Sequence, residues 1–198
     1  MNQPVQPITE DITGVILAGG KGSRMNGEDK GLVLLNGKPL YQHVLARLRP
    51  QVTKVIISAN RHSERYRESG CEVFSDTFSG FAGPLAGMLA ALQHSETEWA
   101  AFASCDTPFL PQNLVEQLWQ GKREAKVAWV RSVDRDHPTL ALMHRSVVPL
   151  LAAYLQRGDR KLMFFLKEMG GVAVSFEQAE TFININTPED LATYQTKR

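Results

Sequence analysis

The chain is short of several things, and each shortage excludes a class of function. Cysteine occurs only twice in 198 residues, at Cys71 and Cys105, far apart and outside any C-x-x-C. That excludes a disulfide framework and a cysteine-built zinc site, and suggests core thiols in a reducing compartment, the cytoplasm. No apolar run approaches the ~20 residues of a membrane helix; stretches such as Val147 to Leu155 stop well short. Met1 to Gly14 has no basic region followed by a long apolar core, so no secretory signal is read there. An excess of one charge is missing too. Lys+Arg number 22 and Asp+Glu 21, a net +1, which argues against a dedicated nucleic-acid binder. Gly (15) and Pro (10) occur at ordinary frequency, which excludes collagen-like and low-complexity chains.

What is present is typical of a soluble globular protein: 43% hydrophobic and 22% charged residues. The length fits one domain, 1–198, with enough chain to bury a core unaided. Gly14 to Ala18, Val52 to Ser58, Cys71 to Ser75 and Trp99 to Ser104 read as strands, as do Lys126 to Val130, Thr139 to Met143 and Val172 to Phe176. Phe182 to Asn186 (FININ) alternates in polarity and is predicted as a last short strand. Helical stretches begin at Pro39, Ser63, Gly83, Pro111, Arg145 and Lys161. Ser63 is a candidate N-cap; Thr187 is another, with Pro188 first inside its helix and Asp190 at the third position. Strands alternating with helices predict an α/β fold, a single-domain Rossmann-like three-layer α/β/α with a mostly parallel sheet. The stretch from Asp134 to Gly171 departs from strict alternation and is expected to add an antiparallel piece.

Open parallel sheets bind ligands outside the carboxyl ends of their strands. Here those ends are Ala18-Gly19-Gly20, Ser58-Ala59-Asn60, Asp76 and Cys105-Asp106-Thr107-Pro108. The first runs into a glycine-rich turn carrying Lys21, Arg24 and Lys30. It fits neither G-x-G-x-x-G, whose third glycine falls on Met25, nor the P-loop, whose first glycine falls on Leu32. Glycines still let backbone N–H groups approach an anion, and Arg24 and Lys30 add charge, a chemistry suited to a polyphosphate.

At these residues the chain resembles a known family. L-A-G-G-x-G-x-R-M from Leu17, D-K-G-L from Asp29 and L-x-G-K-P-L from Leu35 resemble the nucleotidyltransferases that activate sugars and pterins with nucleoside triphosphates. Gly83-Pro84-Leu85-Ala86-Gly87-Met88, Cys105-Asp106-Thr107-Pro108, Asp136-His137-Pro138-Thr139 and Asn184-Ile185-Asn186-Thr187-Pro188 resemble one branch, the molybdenum cofactor guanylyltransferases. The likeness runs from about Thr13 to Tyr194 and implies the nucleotide-diphospho-sugar transferase fold.

The resemblance implies a Mg²⁺-dependent transfer of GMP from GTP to Mo-molybdopterin, with release of pyrophosphate. It implies a nucleotide-binding N-terminal half and a molybdopterin-binding C-terminal half. Leu17, Ala18, Gly19 and Lys30 would hold GTP, Asp76 would contact the nucleotide, and Asp106 would bind Mg²⁺ and phosphates. Arg24 and Lys30 would neutralise the triphosphate. Family members can carry Asn where this chain has Ser58, which keeps a hydroxyl and the same backbone groups at shorter reach for the nucleotide contact that the resemblance implies. Guanine selection calls for acceptors, and Asp76 or Ser58 is expected to supply part of it. For the second substrate the candidates are His137, Arg160, Lys161, Asn184 and Asn186. Against them stand plainer readings: Arg160 and Lys161 as a solvated helix start, His137 as a turn residue. A cytidylyl- or uridylyltransferase and a nucleotide-binding module without turnover are the alternatives. The opening L-A-G-G leans to guanine, and the joint presence of Arg24, Lys30 and Asp106 leans to turnover. The family also implies transient contacts with cofactor insertion proteins and acceptor enzymes. A monomer is expected.

Overall fold

The structure is a computed structural model and describes residues 7–18, 26–76 and 83–195. In chain order its elements are β1 (Ile12–Leu17), β2 (Leu34–Leu35), β3 (Lys38–Pro39), α1 (Leu40–Leu48), β4 (Lys54–Ser58), α2 (Ser63–Arg67), β5 (Glu72–Phe74) and α3 (Pro84–His94). There follow β6 (Trp99–Ser104), α4 (Leu114–Lys122), β7 (Val127–Arg131), β8 (Asp136–His144), α5 (Val148–Gln156), α6 (Leu162–Glu168), β9 (Val172–Ser175) and α7 (Pro188–Tyr194).

Seven strands form one sheet in the order β5-β4-β1-β6-β8-β7-β9. All run the same way except β8, which is antiparallel to both β6 and β7. The antiparallel piece expected after Asp134 is therefore β8, longer than the predicted Thr139 to Met143.

Side-chain alternation on the strands explains the three layers. Ile12 and Ile16 of β1, Val55 and Ile57 of β4, and Ala101 and Ala103 of β6 join one core with α1 and α4. Val15 and Leu17, Ile56, and Ala100 and Phe102 point the other way, into a core with α3, α5 and α6. A sheet covered on both faces needs continuous apolar strands, and these runs supply them.

A third, smaller cluster lies at the edge of the fold. Asn36 and Gly37, with φ of 51° and 77°, form the two-residue turn that pairs β2 with β3. Asn-Gly suits this turn because both central positions need positive φ. Val33, Leu35 and Leu40 around this hairpin pack with Ile185 from near the C-terminus, flanked by Phe109, Leu191 and Tyr194.

Two expectations are corrected. FININ is not a strand: a 3-10 turn spans Ala179–Phe182, and 183–186 is irregular. The buried anchors are Phe182 and Ile185, three positions apart, not the alternate positions a strand would bury. The Ile185 N–H is spent on the Asp106 carbonyl, at 2.8 Å, so this segment docks on a loop and not on a sheet edge. Ser63 is the first residue inside α2 and not its cap; the N-cap is His62, at φ 50°. The Thr187 cap holds, as a full capping box with Asp190.

Candidate functional site

The carboxyl ends of β1, β4, β5 and β6 meet at one rim and are stitched together there. Ala18 N–H donates to Ser58 O at 2.9 Å, Ala59 N–H to Phe74 O at 2.9 Å, and Cys105 N–H to Leu17 O at 3.2 Å. Leu17 and Ala18 are thus held in the sheet, nearly buried. Gly19 and Arg24, together with Gly20, Lys21 and Gly22 of the glycine-rich turn, lie outside the described residues.

Beyond the rim, three distant stretches converge. Lys30 sits in the short 3-10 turn Lys30–Leu32 that precedes the hairpin. Asp106 follows β6, where Thr107 folds back on the Ser104 carbonyl through both its N–H (3.3 Å) and its hydroxyl (3.0 Å). Asn186 stands just before α7. The Lys30 ammonium donates to Asp106 Oδ2 at 3.2 Å and also to Asn186 Oδ1. Both members of the ion pair remain partly exposed, 23% for Lys30 and 19% for Asp106. Such a pair is available to a ligand rather than sealed in the core.

Asn186 is itself braced. The Asp190 carboxylate accepts from the N–H groups of Asn186 (2.9 Å) and Thr187 (3.0 Å). Those bonds, the Asn186 N–H first, hold its carboxyl below the usual carboxylate range. The small cluster of Ile185 with Leu35 and Leu40 fixes the same segment from beneath.

Asp76 lies half-buried just beyond β5 and pairs twice with Asn60: Asn60 Nδ2 donates to Asp76 Oδ2 at 2.8 Å, and Asp76 N–H to Asn60 Oδ1 at 3.1 Å. Ser58 is different. It is 4% exposed, and its hydroxyl packs against Gly87 of α3, where a Cβ would come within 2.9 Å. Cys105 is buried, which together with the neighbouring Asp106 pushes its thiol pKa up. It is no nucleophile at neutral pH.

On the β8 side of Asp106 lies a cavity of about 160 Å³. Asp106, Arg135, Asp136, His137, Thr139 and Asn184 are among its lining residues. His137 is 6% exposed, bonded through Nε2 to the Ser132 hydroxyl at 2.8 Å and packed on Phe182. Burial, then the Arg135 charge, lowers its pKa. Arg160 and Lys161 lie at the start of α6. Arg160 donates to the carbonyls of Leu155 and Asp159, both at 2.8 Å, and Lys161 lies over the Phe164 ring. Neither is among the described residues that line the cavity.

Of the predicted residues, then, Lys30 touches both Asp106 and Asn186, and His137 and Asn184 share a cavity with Asp106. The reading of single residues passes over Asn60 as the partner of Asp76 and Asp190 as the brace of Asn186. The T-x-x-D capping pattern is the one signal that could have found the latter.

An open α/β sheet, ordered about a switch point and carrying its polar groups at the carboxyl rim, defines the class: a doubly wound α/β fold that takes its ligand at that rim. The chain belongs to the MobA-like NTP transferase family, whose model matches residues 14–173. A protein of Yersinia pestis (strain Pestoides F) named molybdenum cofactor guanylyltransferase is 54% identical over 189 residues, covering 95% of this chain and 97% of its own. Among solved structures, the molybdopterin-guanine dinucleotide biosynthesis protein A of Archaeoglobus fulgidus superposes with a TM-score of 0.76 at 27% identity, over 92% of this chain and 96% of its own. The 4-diphosphocytidyl-2C-methyl-D-erythritol synthase of Anaerococcus prevotii shares the fold alone, with a TM-score of 0.74 at 12% identity over 93% and 94%.

Proposed function

We propose that this chain transfers GMP from GTP to the terminal phosphate of Mo-molybdopterin, forming the guanine dinucleotide cofactor and pyrophosphate. The observation that carries this reading is the meeting of Lys30, Asp106 and Asn186 at the strand rim of a chain so similar to named guanylyltransferases.

The chemistry asks for little from side chains beyond charge and position. The attacking group is a phosphate oxygen, already anionic near neutral pH because a phosphomonoester has a second pKa of about 6. No strong base or protein nucleophile is needed. The obstacle is repulsion between anions and the charge that develops on departing pyrophosphate, and positioned cations answer both. Lys30 is the cation bonded to Asp106 at the rim, and the resemblance adds Arg24. Lys30 exchanges part of its contact with Asp106 and Asn186 for phosphate oxygens when GTP enters.

Mg²⁺ fits this site in one way only. Among the described residues no group of three or more His, Cys, Asp and Glu could enclose a metal. Asp106 offers one partly exposed carboxylate, which suits an ion that brings phosphate and water as its remaining ligands. Bound there, Mg²⁺ would supply charge neutralisation at the phosphates.

Asp76 is better placed than the buried Ser58 to accept from the guanine edge, since it is only half-buried and its orientation is set by Asn60. The C-terminal half takes the pterin: His137 and Asn184 line the cavity beside Asp106, and Arg160 and Lys161 extend the same half. We place the reaction in the cytoplasm, in a monomer that passes its product on through transient contacts with insertion proteins and acceptor enzymes. Free Cys71 and Cys105 are compatible with that, and no described helix is long and apolar enough to cross a membrane.

Calorimetric binding of GTP and CTP in the presence of Mg²⁺ tests the reading. GTP binds, CTP binds at least about tenfold more weakly, and Asp106→Ala loses most of the GTP affinity. A preference for CTP would move the protein to the cytidylyl branch. In the same assay Asp76→Ala narrows the GTP-over-CTP preference; an unchanged ratio removes Asp76 from base selection. Arg160→Ala weakens the pterin and spares GTP, and equal loss of both rejects its assignment.

A further inference from the structure

Behind Lys30 lies a second cluster, which the phosphate chemistry does not use. Asp29 is 7% exposed, an unusual burial for a carboxylate so close to a rim. It occupies the N-cap position of the turn that holds Lys30, yet its side chain makes no capping bond. The carboxylate turns instead to α2. Tyr66 donates its hydroxyl to Asp29 Oδ1 at 2.6 Å, and His62 sets Nδ1 3.1 Å from Oδ2. Tyr66 is fully buried and meets the Tyr41 ring edge-on at 4.8 Å. On the other side of Lys30, Gly31 leaves the hydroxyl its space: a Cβ there would lie 2.3 Å from the Tyr66 oxygen. The residues flanking Lys30 on either side are thus seated on one phenol.

Burying a carboxylate costs free energy unless it is well paired. A turn cap alone does not call for that cost, since an exposed Ser or Asp caps as well. What the arrangement accomplishes is directional. It fixes the backbone on both sides of the one residue whose side chain must reach Asp106 and Asn186. We infer that Tyr66 and His62 are positioning residues for the reaction: through Asp29 they hold the turn that aims Lys30 at the phosphates of bound GTP. This rests on the reading above, in which Lys30 holds the triphosphate. Burial, reinforced by the bond to Asp29, raises the Tyr66 pKa, so its hydroxyl remains a donor throughout the neutral range.

Steady-state guanylyl transfer by Tyr66→Phe and His62→Asn tests the inference, with melting temperature and calorimetric GTP affinity measured beside it. Asn tolerates the left-handed backbone that His62 adopts at φ 50°. Removing the charged-group hydrogen bond in Tyr66→Phe raises KM and Kd for GTP about tenfold. His62→Asn raises them about threefold, as expected for its more exposed contact. KM for the pterin substrate stays unchanged in both. Merely structural residues would lower the melting temperature or the active fraction while folded enzyme kept its GTP affinity. KM and Kd for GTP within about twofold of wild type therefore overturn the inference, whatever the stability change. Should Tyr66→Phe fail to fold, His62→Asn decides alone. Wild-type protein that binds GTP but transfers no GMP overturns the proposed reaction and leaves the positioning to be judged from the Kd values.

Discussion

Lys30 is 76 positions from Asp106 and 156 from Asn186, and the three meet through single side-chain atoms. Lys30 and Asp106 are legible in the sequence because each stands at a place the fold rule marks: one beyond the first strand's glycine-rich turn, one at the end of an apolar run. Asp29 and Tyr66 are not legible in the same way. Nothing local distinguishes a buried aspartate from an exposed one, and the phenol that covers it lies 37 residues away. His137 reads from sequence as either a turn residue or a substrate contact, and its burial has a measurable consequence. Its folded pKa lies below the unfolded value of about 6.5, so the unfolded chain takes up the proton more readily. The stabilisation from keeping His137 neutral is complete above that value and lost as pH falls through the folded pKa. Melting temperature between about pH 7 and pH 5 should fall more steeply for wild type than for His137→Gln. Parallel slopes would show that this imidazole carries no part of the acid sensitivity.

At the scale of elements, the parallel strands and most helices follow from apolar runs and from prolines at helix starts. The hairpin of β2 and β3 is missed because each strand has only two residues, too few to show a period. FININ fails for the opposite reason. It shows a clean alternation, but its backbone partners lie in a loop, so tertiary docking overrides the local pattern. The capping box on α7 carries more than helix stability, because the same Asp190 oxygen holds Asn186. Thr187→Ala should cost about 1 kcal/mol of stability in urea titrations. Asp190→Ala should cost a similar amount and in addition weaken GTP binding, whereas equal effects of the two on binding would show that Asp190 acts on the site only through the cap. On the far side of the sheet, α4 approaches β9 so closely that a Cβ at Gly121 would come within 2.6 Å of both Val174 methyl carbons. A branched valine cannot swing aside. Gly121→Ala should therefore destabilise by about 1–3 kcal/mol while leaving KM for GTP unchanged. A neutral substitution would mean that the helix shifts freely.

For the whole molecule, each long parallel strand contributes to both main cores, so neither face of the sheet can be lost alone. The two halves of the chain are regions of a single sheet. Unfolding followed by tryptophan fluorescence should coincide with the loss of helical circular dichroism. Trp99, Trp119 and Trp129 lie on β6, α4 and β7, so this signal reports chiefly on the later half of the chain. Separate midpoints would mean that the halves melt independently. The fold class was readable from the alternation of elements alone; the position of β8 between two strands running the other way was not, because strand order depends on pairings that no single segment encodes.

The meeting of Lys30 with Asn186 also has a consequence in time. A ribosome releases Lys30 156 residues before Asn186. Throughout synthesis the growing chain can close most of its sheet and still lack the third side of its charged corner. A chain cut short before Asn186 lacks that contact, and the corner can close only after position 186 has been made.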